Sequence, residues 1–120
     1  MADAMVLDAN DVSKPPSNGG VRTAVLRSSG TIGEGDRQVL TALLTAYKRG
    51  MARIQLGDGT SKFDFAYAGN VADAVVCCAQ ALLREEKQEQ PRNSDQRVSG
   101  EAFFITNGEP IEFYGFARLV

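Results

Sequence analysis

The chain of 120 residues has no histidine and only two cysteines. The cysteines are neighbours, Cys77 and Cys78, inside an apolar run of helical character, where adjacent side chains point about 100° apart. Without histidine or a second cysteine pair there is no set of ligands spaced for a structural metal, and the two residues read as free thiols acting as small core groups in a reducing compartment. No apolar run approaches the roughly 20 residues needed to cross a bilayer, and the first residues lack the charged and apolar regions of a signal peptide. The chain therefore reads as soluble, or attached to a membrane through something outside it. Charge of one sign is also not in excess: 13 basic and 15 acidic residues leave a formal net charge of -2. That balance provides no field to gather nucleic acid and no clustered basic face for an anionic membrane. What remains, 43% apolar and 23% charged residues, is ordinary composition for one globular domain.

The pattern along the chain alternates helices and strands. Residues 1–10 put Ala2, Met5, Val6 and Ala9 on one helical face, and the helix is read as beginning before the chain does. Residues 11–20, with Lys14-Pro-Pro-Ser-Asn-Gly-Gly20, form a connector in which proline fixes and glycine frees the backbone. Arg22 to Leu26 suits a strand. Asp36 stands where a helix cap would, ahead of a stripe of Val39, Leu40, Leu43, Leu44 and Tyr47, and Gly50 marks the end of that helix. Ala52 to Leu56 and Lys62 to Phe65 flank Gly57-Asp-Gly-Thr60 and predict a hairpin.

Asn70 is expected to cap the next helix, with Asp73 in its first turn and a buried stripe of Val71, Ala74, Val75, Cys78, Ala79 and Leu82. The opposite side is apolar as well, so neighbours are expected on most sides. Residues 84–100 turn polar and predict a helix end followed by a mobile loop. Ala102 to Ile105 has no polar alternation, as in a central strand covered on both faces. Pro110 is expected to open a last helix with Phe113, Phe116, Ala117 and Val120 on one face. Both ends read as cut. The whole is an α/β layered domain with one central strand pair and a hairpin, a sheet that needs strands from elsewhere.

Two groups of residues invite a chemical reading. Gly30-Thr-Ile-Gly33-Glu-Gly35 follows a strand and precedes a helix, where backbone amides can face a phosphate. The near-match Gly33-x-Gly35-x-x-Gln38 lacks the third glycine of the dinucleotide fingerprint and carries Glu34, so it is rejected as a primary pyrophosphate site. Asp64 and Tyr67 could exchange protons, but their spacing fits neither a tyrosine-lysine pair nor a metal site, and they read as structure.

Arg27-Ser-Ser-Gly-Thr-Ile-Gly-Glu-Gly-Asp36 and Phe63-Asp-Phe-Ala-Tyr-Ala-Gly-Asn-Val-Ala-Asp-Ala74, in that order, resemble the C-terminal half of extended short-chain dehydrogenases of the 3-beta-hydroxysteroid dehydrogenase/isomerase family. The nearest likeness is to the branch acting on sterol-4-alpha-carboxylates. Gly100-Glu-Ala-Phe-Phe-Ile-Thr-Asn107 and Phe113-Tyr-Gly-Phe-Ala117 extend the resemblance over nearly the whole chain, with residues 85–97 covered least.

The resemblance implies a fold: residues 1–120 as one partial domain, the C-terminal, substrate-side portion of a Rossmann-like doubly wound sheet, incomplete on its own. It implies an activity, the NAD- or NADP-dependent oxidation of a sterol 3-beta-hydroxyl with loss of the 4-alpha-carboxylate in sterol biosynthesis. It implies an intracellular location, at the endoplasmic reticulum membrane or otherwise in the cytoplasm. It also gives the glycine turn a second role, over the nicotinamide end of the cofactor. Ser28, Gly30 and Thr31 would approach the carboxamide, and Ile32 and Gly33 would line the sterol side. Ser28, Thr31 and Glu34 depart from the family's residues there, and an ordinary strand-to-helix turn is the alternative reading of the same segment.

No catalytic residue is expected in the chain. The family's acid-base pair is a tyrosine with a lysine four positions on, whereas Tyr47, Tyr67 and Tyr114 are followed at that spacing by Met51, Val71 and Arg118. The competing function is a non-catalytic piece that binds an apolar ligand or a partner subunit, self-associates through an exposed sheet edge, or has no separate role.

Overall fold

The computed structural model describes residues 2–51, 54–55, 57–87 and 97–119. They form four α-helices, α1 (Ala2–Asp8), α2 (Val39–Lys48), α3 (Ala68–Lys87) and α4 (Phe113–Leu119), and a 3-10 turn at Pro16–Asn18. Six short strands accompany them: β1 (Val25–Ser28), β2 (Thr31–Ile32), β3 (Lys62–Phe63), β4 (Ala66–Tyr67), β5 (Ala102–Ile105) and β6 (Ile111–Glu112). They pair as β1 with β5, β2 with β4 and β3 with β6. This mixture of helices and small, partly parallel sheets is compatible with the expected α/β class. Contacts group the chain into two units, Met1–Arg27 with Ala72–Phe104 and Ser28–Val71 with Ile105–Val120.

In the first unit, β1 and β5 run parallel, since the Gly100 amide donates to the Thr23 carbonyl and the Val25 amide to the Glu101 carbonyl. The strand starts at Val25 rather than Arg22, because competing bonds hold the residues before it. The Thr23 amide donates to the Asn10 side chain at 3.0 Å, its hydroxyl to the Val6 carbonyl at 2.8 Å, and the Arg22 guanidinium to the Asp11 and Val12 carbonyls. Arg27 joins α1 to the sheet through a 2.7 Å ion pair with Asp3 and lies over the Phe104 ring.

The expected burial of β5 on both faces is not what forms. Phe104 is 75% exposed and β1 is its only partner strand among the described residues. On α3 the less exposed face is Val71, Ala74, Cys78, Ala81, Leu82 and Glu85, while Val75, Ala79, Val76 and Leu83 face out. The polar segment 84–100 begins inside α3, and its residues 88–96 lie outside the described residues. Beyond them the Glu85 carboxylate accepts the amides of Val98 and Ser99, and Ser99 is buried. Cys77 and Cys78 are free thiols. Burial, then the Glu85 carboxylate, pushes the Cys78 thiol up, away from the reactive thiolate.

In the second unit the core is aromatic. Phe65, 6% exposed, packs its ring 4.6 Å from Phe63, 4.4 Å from Phe116 and 6.5 Å from Phe113, with Ala66 fully buried beside it. The expected hairpin is replaced: its second arm, β3, pairs antiparallel with β6 in the register Lys62↔Glu112 and Phe63↔Ile111. In the first arm, Ala52, Arg53 and Leu56 lie outside the described residues, and Ile54 and Gln55 are not in a strand. β6 also separates Pro110 from α4, so proline precedes a strand instead of opening the helix; Val120 lies outside the described residues.

Two helix starts differ from expectation. α2 begins at Val39 with Gln38 in the cap position, yet Asp36 caps it from two residues further back. α3 begins at Ala68, directly from β4, which puts Asn70 inside the helix and leaves no acidic residue in its first turn. A strand passing straight into a helix leaves no loop position for a cap, and Asn70 turns to a tertiary partner instead.

Candidate functional site in the Ser28–Asp36 turn

The turn that carries Ser28, Gly30, Thr31, Ile32 and Gly33 belongs to the second unit, between the end of β1 and the start of α2. It is drawn onto β4 by β2, which pairs parallel to it with Thr31 opposite Ala66 and Ile32 opposite Tyr67, and by the Ala66 amide donating to the Gly30 carbonyl at 3.1 Å. Packing alone demands two of its glycines. A Cβ on Gly30 would lie 2.8 Å from the Phe63 ring, and one on Gly33 would lie 2.9 Å from the Ala68 methyl. Gly35 differs, with a φ of 80° and open space around it, so its requirement is conformational.

The hydroxyls of the turn are arranged unequally. Thr31 Oγ1 reaches the Ser29 carbonyl at 3.3 Å and Ser28 Oγ at 3.4 Å. Ser28 is exposed. Among the described residues, the Ser29 hydroxyl is a buried polar atom with no hydrogen-bond partner. Ser29 is not among the residues that the glycine pattern points to; a third hydroxyl in the same turn is the sequence signal for it.

The far end of the turn is tied down by Asp36. One carboxylate oxygen accepts the amides of Gln38 at 2.7 Å and Val39 at 3.0 Å, and the other accepts Leu40 at 2.8 Å. These bonds, Leu40 first and then Gln38, hold the Asp36 carboxyl below the usual aspartate range. The glycine-rich turn therefore presents a filled helix start, its first free amides already taken by the protein's own carboxylate. This agrees with rejecting it as a pyrophosphate site.

Asp64 and Tyr67 do not converge on a proton-transfer pair. The Asp64 carboxylate accepts the amides of Asn107 and Gly108, each at 3.1 Å. Asn107 Oδ1 in turn accepts the Tyr67 amide at 3.3 Å and the Asn70 side-chain amide at 2.9 Å. Two segments about forty positions apart are thus stapled by one carboxylate and one carboxamide. In the sequence Asn107 only ends a strand motif, and nothing local marks it as the partner of Tyr67 and Asn70.

The second unit also holds an apolar cleft of about 590 Å³ between α2 and α4, lined by residues that include Leu43, Tyr47, Met51, Phe113, Ala117 and Arg118. Among the described residues there is no group of three or more acidic, cysteine or histidine side chains placed to hold a metal, and no helix long and apolar enough to cross a membrane.

Comparison with known proteins gives these elements a context. The family model of the 3-beta hydroxysteroid dehydrogenase/isomerase family matches residues 1–120. Over 120 residues the chain is 43% identical to the Saccharomyces cerevisiae sterol-4-alpha-carboxylate 3-dehydrogenase, decarboxylating, covering 100% of this chain and 31% of that protein. The Candida albicans protein of the same name is 40% identical over 119 residues, covering 99% and 30%. The Mus musculus one is 32% identical over 116 residues, covering 97% and 28%. The chain thus spans about a third of the length of these relatives. No solved structure gives a significant match. With the family model matching from first residue to last, the chain belongs to the 3-beta hydroxysteroid dehydrogenase/isomerase family.

Proposed function

We propose that this chain is the C-terminal, substrate-side part of an NAD- or NADP-dependent dehydrogenase that oxidises the 3-beta-hydroxyl of a 4-alpha-carboxysterol, with decarboxylation, in sterol biosynthesis. The observation that carries the reading is 43% identity, along the full length of the chain, to a protein named for that reaction. Residues 1–120 then form one partial domain, and β1 and β5 contribute a parallel pair to a Rossmann-like sheet whose other strands lie outside these residues. The parallel direction of the pair and the exposure of Phe104 support that assignment. A sterol-pathway enzyme of this kind would work at the endoplasmic reticulum membrane.

The turn is suited to the carboxamide end of a nicotinamide. Ser28 presents an exposed hydroxyl and Thr31 a second one within reach of it. A carboxamide offers both the donor and the acceptor that such hydroxyls pair with. Ser28, Gly30 and Thr31 would hold the cofactor there, which when bound would take the hydride from carbon 3. Ile32 and Gly33 would face the sterol.

Loss of the carboxylate follows from the ketone. Once carbon 3 is a carbonyl, the bond from carbon 4 to the carboxylate breaks, carbon dioxide leaves, and its electron pair spreads into the enolate before carbon 4 is protonated. The proton acceptor for the hydroxyl is assigned outside this chain, because none of its three tyrosines has lysine four positions on.

The test is a nicotinamide reduction assay on the native-length protein with matched 3-beta and 3-alpha hydroxysterols and with each nicotinamide in turn. Reduction with the 3-beta epimer alone is expected. Equal rates with the two epimers, or none with either in folded protein, would contradict the reading.

A further inference from the structure

The cleft between α2 and α4 has the size of a small-molecule site: its 590 Å³ lies inside the range of about 300–1,000 Å³ typical of ligand pockets. Its lining is mainly aliphatic and aromatic, with Leu43, Tyr47 and Met51 on one side and Phe113 and Ala117 on the other. Tyr47 is 69% exposed and Met51 50%, so a large apolar surface is left open to water within a concave wall.

One formal charge stands on that lining, the Arg118 guanidinium. It donates to the Gln55 side-chain oxygen at 3.0 Å, and among the described residues no carboxylate lies within ion-pair distance of it. An apolar trough with one guanidinium and no acidic group on its wall complements an apolar body that carries a single carboxylate. Guanidinium pairs with carboxylate in a planar, two-pronged geometry that also fixes direction. A neutral sterol would fill the trough equally well but leave the cation without a counter-charge.

Resting on the proposed sterol reading, we infer that this cleft binds the ring system of an acidic sterol and that Arg118 receives its carboxylate. It is a second place for a sterol, separate from the turn where Ile32 and Gly33 are proposed to face the sterol whose carbon 3 reacts.

The experiment uses the native-length protein with two probes, a saturated 4-alpha-carboxysterol and its methyl ester, each also prepared with a photoreactive diazirine on the ring system. Arg118→Met, an exchange at an exposed position, is expected to weaken the acid about tenfold and leave the ester unchanged, with Arg118→Lys recovering only part of the loss. Labelled peptides are expected from α2 and α4. If both probes bind but Arg118→Met does not change their ratio, or labelling falls on Ile32 and Gly33 alone, the cleft assignment is overturned while the sterol reading stands. If neither probe binds the folded protein, the sterol reading itself fails and the cleft assignment with it.

Discussion

Substituting the turn glycines separates packing from ligand contact, because the three positions make different demands. At Gly30 an added Cβ would sit 2.8 Å from the edge of the Phe63 ring, well inside the 3.4 Å at which ordinary contact begins. The ring can tilt, but Phe63 is stacked 4.6 Å from Phe65, so the displacement passes into the aromatic core. At Gly33 the obstacle is the Ala68 Cβ at 2.9 Å, a group with no torsion of its own, at the first residue of α3. Relief there requires the backbone of β2 or α3 to move. Overpacking of this kind costs about 1–3 kcal/mol. Gly30→Ala is therefore expected near the lower end and Gly33→Ala near the upper end. Gly35→Ala meets no atom, and its loss of about 1 kcal/mol comes from the φ of 80° alone. Urea denaturation of each variant, without cofactor or sterol, measures these values directly. If Gly30→Ala and Gly33→Ala both fall within about 0.5 kcal/mol of the parent, the glycines are not there for packing and this account of the turn is wrong.

Phe65→Ala is expected to destabilise by about 3–5 kcal/mol, since it empties the centre of the cluster formed with Phe63, Phe113 and Phe116, and thermal or chemical denaturation reads the loss. Asp64→Ala removes the acceptor of two backbone amides and should cost about 1–2 kcal/mol, with hydrogen exchange rising at Asn107 and Gly108 specifically. Because the Asp36 carboxyl is lowered in the folded chain, its capping contribution is fully present above the unfolded aspartate value of 3.8 and is lost as pH falls through the lower folded value. Far-ultraviolet circular dichroism should show that acid step in the parent, and Asp36→Asn should remove it.

Local patterns in the sequence carried much of this structure. The first part of the α2 stripe (Val39, Leu40 and Leu43), its end at Gly50, the capping role of Asp36 and the pairing of the first strand with Ala102–Ile105 were legible, because each depends on residues close together or on one strong apolar run. Leu44 and Tyr47 of the expected stripe, by contrast, are exposed. What was not legible depended on partners far away in the chain. Lys62 and Phe63 sit beside a turn signal that suggests a local hairpin, yet they pair with Ile111 and Glu112. Asn70 has the composition of a cap, but Asn107 draws its side chain away. Thr23 reads as strand until Asn10 and Val6 take its amide and hydroxyl. The site shows the same division. The turn from Ser28 to Gly33 was visible as glycines after a strand, but Phe63 and Ala68 as the reason for two of those glycines, and Ser29 as the unpaired hydroxyl, required the folded chain. So did the cleft beside Arg118, which brings together residues from both sides of α3 in the sequence.

The most direct test of the proposed activity is product stoichiometry in the native-length protein, given a 4-alpha-carboxysterol labelled at the carboxyl carbon together with NAD or NADP. The account predicts labelled carbon dioxide and reduced nicotinamide in equal amounts, with the 3-ketone as the sterol product. Reduced nicotinamide without carbon dioxide from a stable carboxylated ketone would contradict the decarboxylating reaction, and neither product from folded protein that binds both ligands would contradict the dehydrogenase reading as a whole.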